Sequence, residues 1–197
     1  MLFDYGAGNL HSLAKALRRE GAEVRVTPDP TELLSGDAVV LPGVGAFDAA
    51  AEGLAPARAD LRAALLEGHP CLGICLGLQL LLEGSEEGTR PGIGAIAGSA
   101  RRIRARRVPQ MGWNTVNVRV PDPLFEGLES PCMYFANSFV ACPDSDDAVL
   151  ADCEYLGVRL AAAVRVRNAW GVQFHPEKSG AQGLRMVRNF VALAGAA

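Results

Sequence analysis

The chain has 197 residues, of which 49% are hydrophobic and 22 are glycine, a length that predicts one domain over residues 1–197 around one sizeable core. Its formal net charge of −3 argues against a nucleic-acid partner, and no apolar stretch approaches the roughly 18 residues that a membrane span needs. The five cysteines lack zinc-ligand spacing and the N-terminus lacks a signal-peptide pattern, so we expect no metal site and a reduced, cytoplasmic location.

The first half of the chain alternates short apolar segments with segments of helical periodicity. We predict strands at 1–5, 22–27, 38–41 and 71–74, and helices from Leu10 to Gly21, at 47–53, at 58–67 and at 78–82. Short strands joined by helices through tight connections are typical of a parallel sheet covered on both faces. This half therefore predicts a three-layer, flavodoxin-like α/β fold with a mostly parallel sheet.

After Gly92 the pattern changes to short strands separated by proline, glycine and aspartate turns. We predict strands at 100–104, 113–118, 133–135, 149–153, 160–166 and 170–174, and a closing helix at 182–194 with one apolar face. These strands are expected to add antiparallel strands at one edge of the sheet.

The most informative segment is Gly73-Ile74-Cys75-Leu76-Gly77, which follows a predicted strand and precedes a predicted helix. A strand, a sharp turn flanked by small residues and a helix form a nucleophile elbow. A thiol at a helix N-terminus is also favoured as thiolate by the helix dipole. Cys75 is therefore the predicted nucleophile, whereas Cys71, inside the strand, is interpreted as a small buried hydrophobic residue.

A base and a carboxylate stand two positions apart in Phe174-His175-Pro176-Glu177. Residues i and i+2 of an extended segment share a face, so Glu177 can orient the imidazole of His175. His11 and His69 have no carboxylate at i+2 and are interpreted as surface or capping residues. Cys75, His175 and Glu177 together are the candidate catalytic residues of an acyl-transfer site.

The loop Pro42-Gly43-Val44-Gly45 follows the predicted buried strand at 38–41. A glycine-containing loop in this place can present backbone N–H groups to a developing oxyanion. We predict Val44 as one donor and Leu76, directly after the nucleophile, as the other. The alternative is an ordinary strand-to-helix turn, and a phosphate loop is excluded because the Lys-Ser/Thr ending is absent.

These segments resemble the triad (class I) glutamine amidotransferases over essentially the whole chain. Within that family, four segments are similar to the glutaminase subunits of imidazole glycerol phosphate synthases, which act in histidine biosynthesis. The four segments are 4–9, 42–47, 110–114 and 174–179. The resemblance implies hydrolysis of L-glutamine to glutamate and ammonia without a cofactor.

The resemblance also implies which residues contact the substrate. These are Gly43, Gly45, Gln79, Ser138 and Phe139. The chain departs from the family pattern at Asn137 and Phe139, where a histidine and a tyrosine are typical. Contacts from Ser138 and Phe139 are therefore expected to come mostly from the backbone.

A glutaminase of this kind implies a heterodimer with a (β/α)₈ cyclase subunit, which receives the ammonia internally and makes imidazole glycerol phosphate and aminoimidazole carboxamide ribonucleotide. Motif match assigns Asn9, Trp113 and Lys178 to the interface. Their alternatives are a helix N-cap, a buried aromatic residue and a solvated charge, and for Trp113 alone burial is favoured. Because relatives in other pathways usually carry a glycine at the position of Val44, we expect Val44 to hold its N–H away from the oxyanion until the partner rearranges the loop.

Three other functions stay open at the level of sequence. The first is a glutaminase subunit of another synthase, such as pyridoxal phosphate synthase, against which the Val44 loop and residues 110–114 argue. The second is a cysteine peptidase or chaperone-like hydrolase of a related fold, which usually lacks the His-Pro-Glu segment. The third is a regulatory or scaffold subunit whose cysteine is incidental.

Overall fold

The computed structural model describes residues 1–6 and 10–196. Its strands are β1 (Leu2–Phe3), β2 (Val26–Thr27), β3 (Val39–Leu41), β4 (Cys71–Ile74), β5 (Leu82–Ser85), β6 (Ile96–Arg102), β7 (Gln110–Thr115), β8 (Asn117–Val118), β9 (Cys132–Asn137), β10 (Phe139–Pro143), β11 (Val149–Tyr155), β12 (Val158–Val166) and β13 (Ala169–Val172). Its α-helices are α1 (His11–Arg19), α2 (Phe47–Leu54), α3 (Arg58–Glu67), α4 (Leu76–Leu81) and α5 (Gly180–Ala194). None of the helices in this part of the chain has the length and apolar character that crossing a bilayer requires.

The main sheet of the described residues has eight strands in the order β2-β1-β3-β4-β13-β12-β11-β8. The five strands from β2 to β13 run parallel to their neighbours, and β12, β11 and β8 continue the sheet in antiparallel pairs. The predicted mostly parallel sheet with antiparallel strands at one edge is confirmed.

Helices cover both faces of this sheet because its central strands are apolar on both sides. Successive residues of a strand point to opposite faces. Leu72 and Ile74 of β4 belong to one buried cluster, to which α1 and α5 contribute, whereas Cys71 belongs to a second cluster shared with α2, α3 and α4. Each face thus needs an apolar cover, and the three-layer prediction is confirmed.

Five of the later strands form two smaller sheets rather than extending the main one. One has the order β10-β6-β5 and the other pairs β7 with β9. The predicted strands at 100–104 and 133–135 therefore lie outside the main sheet. Strands β5 and β10 are not predicted by the sequence pattern, which indicates one helix for the apolar run 78–82. Helix α4 ends at Leu81, because Leu82 turns to extended backbone and pairs with Ile96 of β6.

The first two strands are shorter than predicted. Residues 1–5 and 22–27 were expected to be extended, but only Leu2–Phe3 and Val26–Thr27 form ladders. Strand β2 lies at the edge of the sheet, and its ladder partner β1 offers two residues in register, Leu2 and Phe3. Strand length here is set by the available partner rather than by the apolar pattern.

Three neighbouring parallel strands end at one edge of the sheet. Leu41 of β3 is in register with Gly73 of β4, and Ile74 of β4 is in register with Val172 of β13. The segments that leave these strands therefore start side by side at their carboxyl ends, the usual place for a ligand site in an open α/β sheet. Those segments are the Pro42–Gly45 loop, the turn at Cys75 and residues 173–177.

Candidate active site

Cys75 occupies a sharp turn between β4 and α4. Its backbone has φ 48° and ψ −97°, a conformation that non-glycine residues adopt rarely and at a cost of about 1–3 kcal/mol. The Cys75 N–H donates to the Val172 carbonyl at 2.7 Å, which ties the turn to β13. This is the strand–turn–helix geometry of a nucleophile elbow.

Two glycines allow the elbow to pack closely. A Cβ on Gly73 would lie 2.6 Å from the Gly77 carbonyl oxygen, and a Cβ on Gly77 would lie 2.1 Å from the Leu41 carbonyl oxygen. Both distances are far shorter than a real Cβ contact, and both end on backbone that cannot move aside cheaply. Glycine at these positions therefore lets α4 begin directly against β3 and β4.

His175 and Glu177 lie beside the elbow, on the segment that follows β13. The His175 Nδ1 is 2.9 Å from the Glu177 Oε1; His175 is buried and the Glu177 side chain is 9% exposed. The backbone N–H of His175 donates to the Tyr134 carbonyl at 2.8 Å, and the Ser179 hydroxyl donates to the backbone carbonyl of His175 at 2.6 Å. The imidazole is thus held through its own backbone as well as by the carboxylate.

Electrostatics at His175 favour the imidazolium. Burial lowers the pKa of His175, but hydrogen bonds to Cys75 and Glu177 outweigh burial and raise it to about 9. The Cys75 and His175 side chains lie together at Gly43, where an added Cβ would come within 3.1 Å of both the imidazole and Cys75 Cβ. By contrast, burial raises the pKa of the Cys71 thiol to about 12, as suits a packing residue.

The Pro42–Gly45 loop lies against the pair. A Cβ on Gly43 would be 2.8 Å from His175 Cε1 and 3.1 Å from Cys75 Cβ, so the missing side chain makes room for the imidazole. Gly45 has φ 121°, a conformation that favours glycine. Leu76 is the first residue of α4, and N–H groups at a helix start lack an intrahelical partner.

Tyr5 holds this loop and was missed by the sequence prediction. Its hydroxyl donates to the Pro42 carbonyl. Burial and the charge of Cys75 raise the pKa of Tyr5, while the Val44 backbone N–H lies close enough to the phenolic oxygen to lower it. A signal was present in the sequence, because Tyr5 follows β1 at the same edge of the sheet as Cys75.

The predicted substrate residues are placed unevenly. Gln79 is buried one turn after Cys75, and its Oε1 accepts from the Ser85 hydroxyl at 3.2 Å, which leaves its Nε2 for a ligand. Strand β10, which begins at Phe139, packs against α4. The Ser138 carbonyl accepts from the Ile103 N–H at 2.9 Å and the Phe139 carbonyl from Asn137 Nδ2 at 3.0 Å. Both backbone carbonyls are therefore already engaged.

Gln173 is the second site residue that the sequence prediction missed. Its carboxamide Nε2 donates to the Cys75 Sγ at 3.6 Å, and the residue is 1% exposed. It stands two positions before His175 at the end of a strand, so the i, i+2 argument used for Glu177 also applied to it.

The residues assigned to the interface are exposed where they are described. Trp113 is 59% exposed and Met111 on the same strand 66% exposed, so the buried alternative for Trp113 is wrong. The Trp113 ring meets Tyr134 edge-on with centroids 6.1 Å apart, and Lys178 is exposed beside the triad segment. Asn9 lies outside the described residues.

The two remaining histidines differ from each other. His69 is half-buried directly after α3, where its backbone N–H caps the helix by donating to the Ala64 carbonyl at 2.9 Å, and burial lowers its pKa. His11 is exposed as the first residue of α1. Within residues 1–6 and 10–196, no group of three or more His, Cys, Asp or Glu side chains is arranged to hold a metal ion.

Comparison with known proteins gives one consistent family. The family described as glutamine amidotransferase class-I matches residues 1–194. The chain is 46% identical over 194 residues to the imidazole glycerol phosphate synthase subunit HisH of Methanothermobacter thermautotrophicus, covering 98% of this chain and 97% of that one. It is 44% identical over 200 residues to the subunit of the same name from Natronomonas pharaonis, covering 97% and 93%.

Solved structures support the fold. A glutamine amidotransferase crystal structure superposes with a TM-score of 0.77 at 22% identity, covering 98% of both chains. The structure of PurLQS from Thermotoga maritima superposes with a TM-score of 0.78 at 19% identity, covering 98% of this chain and 96% of that one. At these identities the likeness concerns the fold alone.

Proposed function

Because the chain belongs to the class-I glutamine amidotransferases, we propose that it is the glutaminase subunit of an imidazole glycerol phosphate synthase. It hydrolyses L-glutamine to glutamate and ammonia, and residues 1–197 act as one glutaminase domain. Cys75, His175 and Glu177 are its catalytic residues. The observation that carries this assignment is the contact of His175 with both Cys75 and Glu177 at the carboxyl ends of β4 and β13.

In the first half-reaction the Cys75 thiolate attacks the side-chain amide carbon of glutamine. The S–C bond forms and the negative charge passes to the carbonyl oxygen. As this intermediate collapses, the C–N bond breaks and the His175 imidazolium gives its proton to the departing nitrogen, which leaves as ammonia. Glu177 accepts from Nδ1, so the ring keeps the orientation in which its other nitrogen faces the sulfur.

In the second half-reaction water hydrolyses the γ-glutamyl thioester. His175, now neutral, takes a proton from the water as its oxygen bonds to the carbonyl carbon. The C–S bond then breaks, glutamate leaves, and the thiolate–imidazolium pair is restored. The sum is glutamine and water giving glutamate and ammonia.

The two tetrahedral intermediates need donors for their oxyanion. Leu76 supplies one backbone N–H at the start of α4, and the Val44 region supplies the other, each worth roughly 3 kcal/mol of transition-state stabilisation. Tyr5 engages this loop at Pro42, and its oxygen also interacts with the Val44 N–H. Full activity therefore requires a rearrangement of the loop, for which docking of the partner is the natural cause.

Substrate binding is assigned to the residues around the elbow. Gly43 and Gly45 line the oxyanion side, and Gln79 offers its free carboxamide N–H groups. Ser138 and Phe139 contribute through backbone N–H groups, since their carbonyls are taken by Ile103 and Asn137.

The partner is a (β/α)₈ cyclase subunit, and the relatives' description as one subunit of imidazole glycerol phosphate synthase supports a second subunit. Trp113 and Lys178 lie at the interface with it, as does Asn9, which is outside the described residues. Ammonia passes between the subunits without release, and the complex acts in the cytoplasm on small molecules rather than on nucleic acid or membranes. The same names favour this pathway over a pyridoxal phosphate synthase.

The test is glutamate release from L-glutamine by this chain, alone and mixed with the cyclase subunit and its nucleotide substrate. We expect weak activity alone and a sharp rise in the liganded complex. Cys75→Ala should abolish the activity in both states while thermal unfolding stays close to that of the wild type. Glutamate release by Cys75→Ala, or no release by the wild type in any state, would show the assignment to be wrong.

A further inference from the structure

One contact to the nucleophile has no place in the triad. The Gln173 side chain is 1% exposed, its Nε2 donates to Cys75 Sγ at 3.6 Å, and its backbone N–H donates to the Ala162 carbonyl at 2.9 Å. Gln173 follows β13 directly, as His175 does two residues later. One short segment therefore delivers both the base and an amide donor to the same sulfur atom.

The molecule contains a second copy of this contact away from the active site. Gln110 is 2% exposed, and its Nε2 donates to the sulfur of Cys153 at 3.6 Å. Burial raises the pKa of Cys153 to about 11, and the Gln110 amide acts against burial to lower it. An amide N–H in this arrangement thus favours the thiolate, but on its own it does not overcome burial.

Both glutamine side chains, Gln173 and Gln110, also have a buried Oε1 that has no hydrogen-bond partner in the described residues. Since the feature occurs at both sites, it is not specific to catalysis. The two contacts differ in the sulfur that accepts from the glutamine, because Cys75, unlike Cys153, lies beside His175 and at the tip of the elbow.

We propose that Gln173 is a further catalytic residue, whose carboxamide N–H stabilises the Cys75 thiolate and fixes the direction of its sulfur. This rests on the glutaminase function proposed above. A hydrogen bond to a charged acceptor is stronger than one to a neutral acceptor. The bond is therefore strong while the sulfur is a thiolate, weak in the thioester, and strong again as the thiolate leaves during hydrolysis of the thioester.

Stabilising a thiolate also lowers its intrinsic nucleophilicity, by a factor smaller than the gain in thiolate fraction. The balance is favourable because the same N–H also fixes the direction of the sulfur, so its loss misplaces the nucleophile as well as removing a donor. Loss of the donor should therefore reduce reactivity rather than increase it.

The test compares Gln173→Met with Gln110→Met in the isolated chain. Each variant removes an amide donor from a buried sulfur and keeps the side-chain length, so the two are matched in their effect on packing. The readout is the rate of carbamidomethylation of Cys75 by iodoacetamide, located by peptide mass spectrometry. The exposed Cys132 is the internal reference in the same sample.

For Gln173→Met we expect Cys75 to react about 10-fold more slowly, because the variant loses one hydrogen bond to a charged group. In the complex with the cyclase, kcat/KM for glutamine should fall by about 10- to 100-fold. Gln110→Met should leave the Cys75 rate within two-fold of wild type, and Cys132 should react equally in all samples. An unchanged Cys75 rate in Gln173→Met would overturn the proposal.

Thermal unfolding of both variants shows whether they fold. If Gln173→Met does not fold, Gln173→Asn is measured in the same way. This variant keeps the amide but shortens the side chain by one methylene, so the Cys75 alkylation rate should fall between those of Gln173→Met and wild type. Failure of the proposed function has a different signature. In that case the wild type releases no glutamate even with the cyclase, whereas failure of this inference leaves an active wild type and equal rates in the two methionine variants.

Discussion

At the scale of single residues, the most consequential value is the pKa of His175. Burial by itself would favour the neutral ring, and the hydrogen bonds to Cys75 and Glu177 reverse that preference and raise the pKa to about 9. In the proposed mechanism, a ring that rests as imidazolium already carries the proton that the leaving ammonia needs. The acid step is thus prepared before substrate binds.

This pKa makes a contribution to stability that depends on pH. A folded pKa of about 9 against 6.5 in the unfolded chain means that the contribution is complete below pH 6.5 and is lost as pH rises through 9. At 1.36 kcal/mol per unit, its upper bound is on the order of 3 kcal/mol. The free energy of unfolding of wild type minus that of His175→Gln should therefore shrink by up to this amount between pH 6 and pH 9.5, as measured by urea unfolding.

His69 provides a control of opposite sign. Burial lowers its pKa, so its protonation in the unfolded chain disfavours folding at low pH and ceases to do so as pH rises through 6.5. The stability difference between wild type and His69→Gln should move toward the wild type as pH increases. A His175 difference that stays constant with pH would contradict the ion-pair account of the site.

At the scale of elements, the elbow depends on the close approach of α4 to β3. A Cβ on Gly77 would lie 2.1 Å from the Leu41 carbonyl oxygen, so Gly77→Ala must push the helix away from the strand. We expect a loss of about 1–3 kcal/mol in the free energy of unfolding and a large loss of glutaminase activity, because the nucleophile moves with the helix. Urea unfolding and glutamate release in the complex measure the two effects.

Gly84 in β5 offers a matched control. A Cβ there meets no atom within 4 Å, and its backbone is not in the left-handed region. Gly84→Ala should therefore leave both stability and activity close to wild type. Equal losses in the two alanine variants would show that the close approach at Gly77 is unimportant.

The loop at Pro42 is a second element-scale feature, because Tyr5 ties it to the end of β1. Tyr5→Phe keeps the edge-on contact with Phe3 but removes the hydroxyl, which frees the Pro42 carbonyl and the Val44 N–H. We expect glutamate release by the isolated chain to rise several-fold and the activation by the cyclase to shrink accordingly.

Tyr155 supplies the comparison for this variant, since its hydroxyl also donates to a proline carbonyl, that of Pro109, at 3.3 Å. Tyr155→Phe should not change glutamate release by the isolated chain. A decrease in activity of Tyr5→Phe without partner would mean that the hydroxyl supports the active loop conformation instead of restraining it.

At the scale of the whole molecule, a chain of contacts connects His175 to an exposed apolar surface. The Trp113 ring packs edge-on against the Tyr134 ring, and the backbone carbonyl of Tyr134 accepts from the backbone N–H of His175 at 2.8 Å. An indole that is 59% exposed stabilises this chain little, and buried aromatic residues dominate the binding energy of many interfaces. We therefore expect a partner that binds around Trp113 to influence the proposed triad.

Trp113→Ala should weaken binding of the cyclase by about 2 kcal/mol or more, roughly 30-fold in Kd. Its free energy of unfolding should fall by less than about 1 kcal/mol, since the variant loses little more than the ring pair with Tyr134. Isothermal titration calorimetry and urea unfolding measure the two quantities. Val120→Ala, at another exposed apolar position, should leave both unchanged, and a wild-type Kd for Trp113→Ala would contradict the assignment.

Much of this architecture could be predicted from the sequence because it depends on local patterns. Strand β4 and helix α3 have the predicted bounds, and α2 and α5 differ from them by one or two residues. The turn at Cys75 follows from small residues between an apolar strand and a helix, and the His175–Glu177 contact joins residues two apart. Each of these features is encoded within a few neighbouring positions.

How distant segments of the chain meet depends on packing between them and is visible in the three-dimensional structure alone. The pairing of β13 with β4 joins Val172 to Ile74, and the donation from Gln173 to Cys75 spans 98 positions. The short β2 and the separate sheets of β5 and β7 likewise depend on which strands are available as partners. Local periodicity determines that a segment is a strand or a helix and which of its faces is apolar. Strand order and the contacts of buried polar side chains are set by packing between remote elements, and local periodicity does not record them.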